Sequence, residues 1–330
     1  MRLLRFAVTG VPAGLLAAAV AISATAETPR QPLAQANAAL QAGEADKALA
    51  LLQSLPPSDA NLAEAHNLGC RVRFTLEQWD AAAGECKQAV RLDGQNSGYH
   101  LWLGRALGEK ADRASFLSAF SLAKRVRAEF EESVRLNPRN AEALADLGEF
   151  YFKAPGVVGG GIEKAQGIAA QLDKVDPARA HELRGRIAEG RKDYGTAERE
   201  FKEAIAAGAH PAFQWVTLAS FYRRRERWAE MESAVHSGVS AAERDKHAGV
   251  ALYDGASVLT SANRDPALAA KMLQDYLAGS AKTEEAPAFV ALSRLARLKE
   301  KLGDPAAANQ EQAAALALAH EFRPGQDAKH

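Results

Sequence analysis

The sequence predicts an all-α protein, a right-handed α-solenoid made of antiparallel helix pairs. Of its 330 residues 47% are hydrophobic, but only 7% are aromatic and alanine dominates the apolar fraction. Such a composition offers little to fill one large globular core. Long β-branched runs with alternating polarity are missing, which argues against a sheet. The third observation is an internal repeat, described below, which indicates stacked units.

The first residues have the three parts of a secretory signal peptide, which we assign to residues 1–26. Arg2 and Arg5 supply the positive start, residues 11–22 form an apolar stretch, and small residues follow at 23–26. The apolar stretch is about half of the roughly 20 residues that a membrane span requires, so a permanent anchor is disfavoured.

We expect cleavage after Ala26, so that the mature chain begins near Glu27. No cysteine lies near that site to be lipidated. The expected location is therefore the periplasm, reached by secretion across the inner membrane. The alternative is an uncleaved amphipathic or core helix.

The charge balance argues against a nucleic-acid partner. The whole chain has 41 basic and 41 acidic residues, and loss of Arg2 and Arg5 with the leader leaves 39 basic residues against 41 acidic ones. A protein that binds nucleic acid needs a basic excess to meet the phosphates.

One segment, residues 180–211, shows the repeat most clearly. Tyr194, Ala197, Phe201 and Ala204 follow one another at intervals of three, four and three, which places them on one helical face. Gly185 stands nine residues before Tyr194 in the preceding helical pattern. A glycine inside a helix is best explained by a neighbouring helix that lies too close for a side chain.

The pattern recurs along the chain and resembles the tetratricopeptide repeat. The small position recurs at intervals of 34, 44, 37 and 34 residues, and prolines at 138 and 177 follow second helices where that family has proline. The resemblance covers residues 32–320. It implies a solenoid of about seven repeats over residues 27–323, followed by a disordered tail at 324–330. The small residues are Cys70, Gly104, Gly148, Gly185 and Ala219.

Two intervals are lengthened by insertions, near residues 109–120 and 154–161. In the first, Phe116, Phe120 and Ala123 share one helical face. They either meet a partner or lipid surface on a projecting hairpin, or pack on the next repeat. The second is glycine-rich but lacks the spacing of a phosphate-binding loop, so we expect an enlarged turn.

The segment from Trp102 to Tyr151 is also similar to the helical-repeat region of the regulator of microtubule dynamics family. That family's association with organelle membranes suggests work at a membrane surface. The export signal argues against a microtubule role.

No pattern of catalytic residues is complete, so we expect neither an enzyme nor a bound cofactor or metal. His181-Glu182 and His320-Glu321 are not followed by the second histidine of the H-E-x-x-H zinc motif. No G-x-S-x-G motif is present either.

Cys70 and Cys86 are the only cysteines, and the repeat register places them on facing positions of one helix pair. Export would place them in an oxidising compartment, so our hypothesis is a disulfide that stabilises the pair by roughly 3 kcal/mol at most. The alternative is two buried free thiols that act as small apolar residues.

The resemblance also implies a concave groove, lined by the residue after each small position and by residues about one turn away. We expect this groove to bind a protein or peptide partner, acidic or bearing a carboxylate, since arginine forks suit carboxylates and phenylalanines suit apolar side chains. The alternative for the arginines is pairing with neighbouring acids. The expected partner-binding residues are Asn67, Arg71, Phe74, Arg105, Phe152, Arg186 and Arg223.

The expected function is thus an exported scaffold or adaptor for protein–protein interaction in the bacterial envelope. The alternative is a lipid or small-molecule carrier or tether that uses the Phe116–Phe120 insertion, with peripheral membrane contact.

Overall fold

A computed structural model of the protein describes residues 30–322 other than residue 61. This part of the chain is α-helical, with one short 3-10 helix and no strand, which confirms the all-α prediction. The expected signal peptide at 1–26 and tail at 324–330 lie outside the described residues. In the described part, no helix combines the length and the apolar character needed to cross a bilayer.

Within residues 30–322, sixteen of the seventeen described α-helices form eight antiparallel pairs, and the single-turn helix α3 lies between the first two pairs. The pairs up to residue 172 are α1 Arg30–Ala42 with α2 Ala45–Gln53, then, after α3 Pro57–Ala60, α4 Ala63–Thr75 with α5 Trp79–Leu92, α6 Ser97–Asp112 with α7 Phe116–Leu136, and α8 Ala141–Lys153 with α9 Ile162–Leu172.

The remaining four pairs follow without a break in the pattern. They are α10 Pro177–Gly190 with α11 Tyr194–Ala207, α12 Pro211–Arg224 with α13 Trp228–Ala242, α14 Gly249–Ser261 with α15 Pro266–Ala278, and α16 Ala288–Lys301 with α17 Pro305–Leu318. The first insertion lengthens α6 and α7, and the second forms a turn that contains the 3-10 helix Gly156–Val158.

Helix starts are set by short polar side chains that accept a hydrogen bond from a backbone N–H of the first turn. Three of these caps precede a proline, whose fixed φ suits the first helical position. The capping residues are Asn96, Asn140, Asp176, Asp193, Asp265 and Asp304.

The turn inside most pairs has one residue in the left-handed region. Four of these six residues are not glycine, so the local sequence does not reveal the turn. The two pairs with insertions differ from these: the α6–α7 turn has no residue with positive φ, and the α8–α9 turn has Gly159 at φ 96°. The six residues counted above are Gly43, Glu77, Lys192, Glu226, Asn263 and Gly303.

The predicted repeat register is confirmed in the α10–α11 pair. Ala197, Phe201 and Ala204 are buried together on one face of α11. A Cβ atom added to Gly185 would lie 2.8 Å from the Phe201 ring, so only glycine permits this close approach. Cys70 and Ala219, which occupy the equivalent position in α4 and α12, are fully buried.

A histidine–glutamate pair recurs between the two helices of three repeats. Nδ1 of His66 lies 2.7 Å from Glu85 and that of His181 lies 2.8 Å from Glu200, each over 19 residues of sequence. His100 and Glu129 form the same pair over 29 residues, which places the extra ten residues between them. The hydrogen bond to Glu129 raises the pKa of His100.

The last helix pair packs against the first, so the solenoid closes after eight pairs. Phe289 of α16 and Phe322 after α17 are buried in one cluster with side chains of α1, α2 and α4, such as Leu33 and Leu40. Their rings meet edge to face at 4.7 Å. A Cβ atom on Gly43 would lie 2.4 Å from the backbone nitrogen of Ala288, so this glycine permits the contact as well as its turn.

The closure can be tested by removing its central aromatic ring. We expect Phe289→Ala to lower the free energy of unfolding by about 3–5 kcal/mol, because it leaves a cavity where the two ends share a core. Small-angle scattering should also show a larger radius of gyration. Urea denaturation measures the first effect, with Leu302→Ala, an exposed residue on the same repeat, as the control. Equal losses in the two variants would contradict this role.

Candidate functional site

The first helices of the pairs line the inside of the closed solenoid. Consecutive first helices contact one another at α4–α6, α8–α10, α10–α12 and α12–α14. The loop between α15 and α16, residues 279–287, reaches into the enclosed space, which we call the lumen. Its Glu285 interacts electrostatically with Arg105 on α6, Glu142 on α8 and Arg179 on α10.

The lumen contains a cavity of about 810 Å³ bounded by α10, α12 and α14. Backbone and side chains of the turns before α10 and α12 form one end, and Glu285 lies across the cavity. Phe213 adds an apolar surface. The charged and hydrogen-bonding residues that matter below are Glu182, Arg186, Gln214, Ser220, Arg223, Asp254 and Glu285.

The side chains of three of these charged residues have no hydrogen bond or ion pair with any described residue: Arg223, Asp254 and Glu285. The others are only partly satisfied. Arg186 lies 3.4 Å from a carboxylate oxygen of Glu149, and Glu182 accepts one hydrogen bond from Gln214 at 3.1 Å. The lumen therefore presents unpaired charges of both signs within one cavity.

Asp254 has the most unusual carboxyl group of this set. The protein that surrounds it raises its pKa to about 6, Arg294 opposes the shift and Glu285 adds to it. Because Asp254 is itself exposed to solvent in the lumen, water screens much of this effect. Burial also raises the pKa of Glu285. Carboxyl groups held in this way favour a neutral partner or a cation.

The sequence predicts that Arg71 binds a carboxylate of a partner. In the structure Arg71 binds a carboxylate, but this carboxylate is the side chain of Glu284 in the same chain. The Arg71 guanidinium forms a bidentate pair with Glu284, with contacts of 2.6 and 2.8 Å. The two side chains are only 18% and 10% exposed. Gln41 contacts the same glutamate. Arg71 thus ties the 279–287 loop to α4 and closes the solenoid.

Other arginines of the inner helices pair with acids of the neighbouring repeat, which was the alternative interpretation of the sequence. Nε of Arg105 lies 2.6 Å from Asp146, and its Nη2 lies 3.1 Å from Glu142. Arg224 pairs with both oxygens of Glu189 at 2.8 Å. These pairs link α6 to α8 and α10 to α12, so they join successive repeats.

The apolar and amide members of the predicted set lie mostly in packed surroundings. Asn67 is buried, and its Nδ2 has no hydrogen-bond partner in the described chain. Phe74 packs edge to face on Trp79 and Trp102 at 5.0 and 5.5 Å. The Phe152 ring packs so closely on Gly190 that a Cβ atom added there would lie 2.6 Å from the ring. Of the predicted set, only Arg186 and Arg223 line the lumen cavity.

A second groove, of about 510 Å³, is lined by Phe74 and Arg105 together with Phe130 and Phe150. It lies between α6, α7 and α8. Arg105 is already held there by its acidic partners, so this groove presents mainly apolar surface.

The residues that sequence reasoning missed follow the same repeat. Gly255 stands 36 residues after Ala219, and Ser293 stands 38 residues after Gly255. Asp254 precedes the first of these small positions, and Arg294 follows the second as Arg71 follows Cys70. Extending the register would have found Arg294, whereas Asp254 stands before its small position and the register does not mark it. Glu284 and Glu285 lie in a loop, where no register applies.

Cys70 and Cys86 form a disulfide between α4 and α5, with their Cα atoms 5.2 Å apart. That spacing lies in the ordinary range for such bonds. Oxidation of the pair in the cell stays a prediction, as does the export on which it depends. In the described part of the chain, no three His, Cys, Asp or Glu side chains are grouped to hold a metal ion.

The tip of the α6–α7 hairpin exposes apolar side chains. Phe116 is 85% exposed and Leu117 is 81% exposed. Phe120 is half-buried, with the Lys124 ammonium 4.4 Å from its ring centre. Phe116 therefore does not pack on the next repeat, and the tip presents free apolar surface.

The pKa of Asp254 has a consequence for stability. Between about pH 4 and pH 6 the carboxyl group of Asp254 binds its proton more tightly in the folded protein than in the unfolded chain. The contribution of Asp254 to the free energy of unfolding therefore falls as pH rises through that window, and above the window it remains unfavourable. We expect Asp254→Asn to raise the free energy of unfolding at pH 7 and to leave it unchanged at pH 4. Denaturation at the two pH values tests this, with Asp112→Asn as an exposed control. An equal effect at both pH values would be inconsistent with it.

The chain was compared with families, curated proteins and solved structures. No family model matches the chain. A curated mouse protein, Superkiller complex protein 3, is 33% identical over 135 residues, which is 39% of this chain but only 8% of that protein's length.

Among solved structures, a thermophilic TPR protein of Thermus thermophilus is 17% identical, with 58% of this chain and 98% of that one aligned at a TM-score of 0.49. The MamA protein is 20% identical, with 50% and 89% aligned at a TM-score of 0.39. By its own helix pairs and their register, the described part of the chain is an α-solenoid whose repeats resemble the tetratricopeptide repeat.

Proposed function

We propose that the protein is an exported scaffold whose lumen grips an extended segment of a partner protein in the bacterial envelope. Solenoids of this type generally serve protein–protein interaction and not catalysis. The observation that supports a lumen site most directly is the set of unpaired charges, Arg223, Asp254 and Glu285, around one cavity of about 810 Å³. That volume suits a segment of a few residues.

The charges suggest the chemistry of the partner segment. Arg186 and Arg223 suit a carboxylate, as the sequence predicts, because guanidinium forks bind carboxylates with two hydrogen bonds. Asp254 and Glu285 suit an amine or guanidinium on the same segment. Phe213 offers an apolar contact between them. The proposed ligand is thus a segment with both an acidic and a basic side chain.

The periplasm remains the proposed location. The positive start, apolar stretch and small residues of 1–26 support export, and a disulfide between Cys70 and Cys86 suits an oxidising compartment. The mass of the protein recovered from the envelope fraction would show whether the mature chain begins near Glu27.

The lumen proposal predicts where a partner can be cross-linked. A photo-reactive residue in place of Ser220, which lines the cavity, should cross-link a partner in living cells. The same residue in place of Ser233, exposed on the second helix α13, should not. Combining the Ser220 probe with Arg186→Ala and Arg223→Ala should reduce the cross-link about tenfold or more, since two charged contacts are lost.

Melting temperatures of the probe-bearing proteins check that folding is intact. Cross-linking that is equal at both probe positions, or unchanged in the double arginine variant, would contradict a lumen site.

The hairpin tip favours a second candidate function, peripheral contact with an anionic membrane surface. Phe116 and Leu117 can insert among lipid head groups, and nearby cations can meet their negative charge. Lys124 and Arg125 lie on α7 about two turns from Phe116. Burial and repulsion from Arg125 and Lys110 lower the pKa of Lys87, while Asp80, the ion-pair partner of Lys110, opposes this shift.

This tether function can be tested by sedimentation with vesicles that contain phosphatidylglycerol. We expect binding that Phe116→Ser combined with Leu117→Ser abolishes, because both apolar side chains are lost. Val157→Ser is the matched control, since Val157 is 70% exposed elsewhere on the surface. Binding that survives in the double variant, or that the control lowers equally, would rule out the tip. Lipid extraction and mass spectrometry of the purified protein distinguish a carrier from a tether.

A further inference from the structure

We propose that the protein binds a small organic phosphate in a second cavity, formed by α14, α15 and α16. The cavity measures about 330 Å³ and adjoins the lumen cavity, because Ser257 and Ser261 line both. All its charged lining residues are cations, and no Asp or Glu of the described chain lines it. We call these four side chains the basic cluster: Arg264, Arg294, Arg297 and Lys301.

Three members of the basic cluster lie on one face of α16. Arg294, Arg297 and Lys301 follow one another at intervals of three and four residues, which aligns their side chains along the helix. Like charges at this spacing repel each other and destabilise a helix. An anion bound between them would remove that repulsion.

The protein supplies only part of the neutralising charge that the basic cluster needs. The Arg297 guanidinium has no hydrogen bond or ion pair with a described residue. Lys301 contacts the amide oxygen of Asn263. Arg294 contacts the hydroxyl of Ser257 and the Tyr253 ring and interacts electrostatically with Asp254, which lines the lumen cavity and not this one. Arg264 pairs with Glu232 at 3.6 Å, and this glutamate does not line the cavity.

This arrangement departs from most of the inner surface. Arg71, Arg105 and Arg224 each form a short ion pair with a carboxylate of another repeat or loop. Cations near the end of a helix also interact favourably with its C-terminal carbonyls. That effect explains Lys301 as well as Lys299, both in the last turn of α16, but it does not explain Arg294 or Arg297.

The other lining groups indicate the kind of anion. Ser257, Thr260 and Ser261 offer hydroxyls, and guanidinium forks with hydroxyl donors suit the oxygens of a phosphate. Leu273, Leu298 and Pro266 supply apolar surface for an organic group. The volume lies at the small end of ligand sites. These features favour a small phosphate ester over a peptide.

Calorimetry on the whole purified protein tests the site with phenyl phosphate as the probe, at constant ionic strength. We expect saturable binding that weakens about tenfold in Arg297→Gln and in Lys301→Gln, since each loses one charged contact. Lys299→Gln is the matched control, because it removes the same charge from the same helix turn outside the cavity. Its affinity should equal that of the unmodified protein.

Several results would overturn the proposal. They are no saturable binding of phenyl phosphate, equal weakening in Lys299→Gln, or equal binding of the neutral analogue phenol. If inorganic phosphate binds as tightly as phenyl phosphate, the proposal that the site recognises the organic group of the ligand is wrong. Circular dichroism of each variant establishes that it is folded. The site is separate from the proposed lumen function, so the Ser220 cross-link should persist in Arg297→Gln.

Discussion

The contact between the first and last helix pairs is the constraint on which the rest of the structure depends. In an open solenoid each repeat touches only its neighbours, and the end repeats need a polar outer face. Here the ends bury Phe289 and Phe322 against α1, α2 and α4. Closure removes both apolar ends from water and converts an open groove into an enclosed lumen.

The closure has a polar part that faces the lumen. Arg71 holds Glu284 through two hydrogen bonds while both side chains are largely withdrawn from water. Breaking such a pair leaves an uncompensated buried charge, so each partner keeps the other in place. The same contact brings Glu285 of the loop into the lumen. One ion pair thus helps both to close the chain and to shape the lumen cavity.

The arginines of the inner surface divide into two groups with different roles. Those paired with acids of the next repeat, such as Arg105 and Arg224, join repeats and are unavailable to a partner. Those without such acids, namely Arg223 and the cluster on α16, face cavities. The distinction matters because the net charge of the whole chain is zero, so function depends on where charges are left unpaired. Composition alone does not reveal this.

The helix pairs, the close approach of Gly185 to Phe201 and the facing positions of Cys70 and Cys86 could all be predicted from spacing. Each depends on contacts within one pair, over fewer than about 20 residues, where helical periodicity decides which side chains meet. The partner of each arginine was much harder to predict. Arg71, Arg105 and Arg186 share one repeat position but have different partners. Arg71 pairs with a distant loop, Arg105 pairs with two acids of the adjacent repeat, and Arg186 lines the lumen cavity with one carboxylate contact at 3.4 Å.

The sequence by itself therefore determined the all-α class, the repeat register and the internal face of each helix pair, because these follow from local periodicity and side-chain size. Only the tertiary structure decided that the solenoid closes, that Glu284 occupies Arg71 and that Asp254 and Arg297 stay unpaired. Those outcomes depend on small rotations between successive repeats, which add up from the second pair to the loop after the seventh before residue 284 can reach residue 71. No local sequence pattern determines the sum of these rotations.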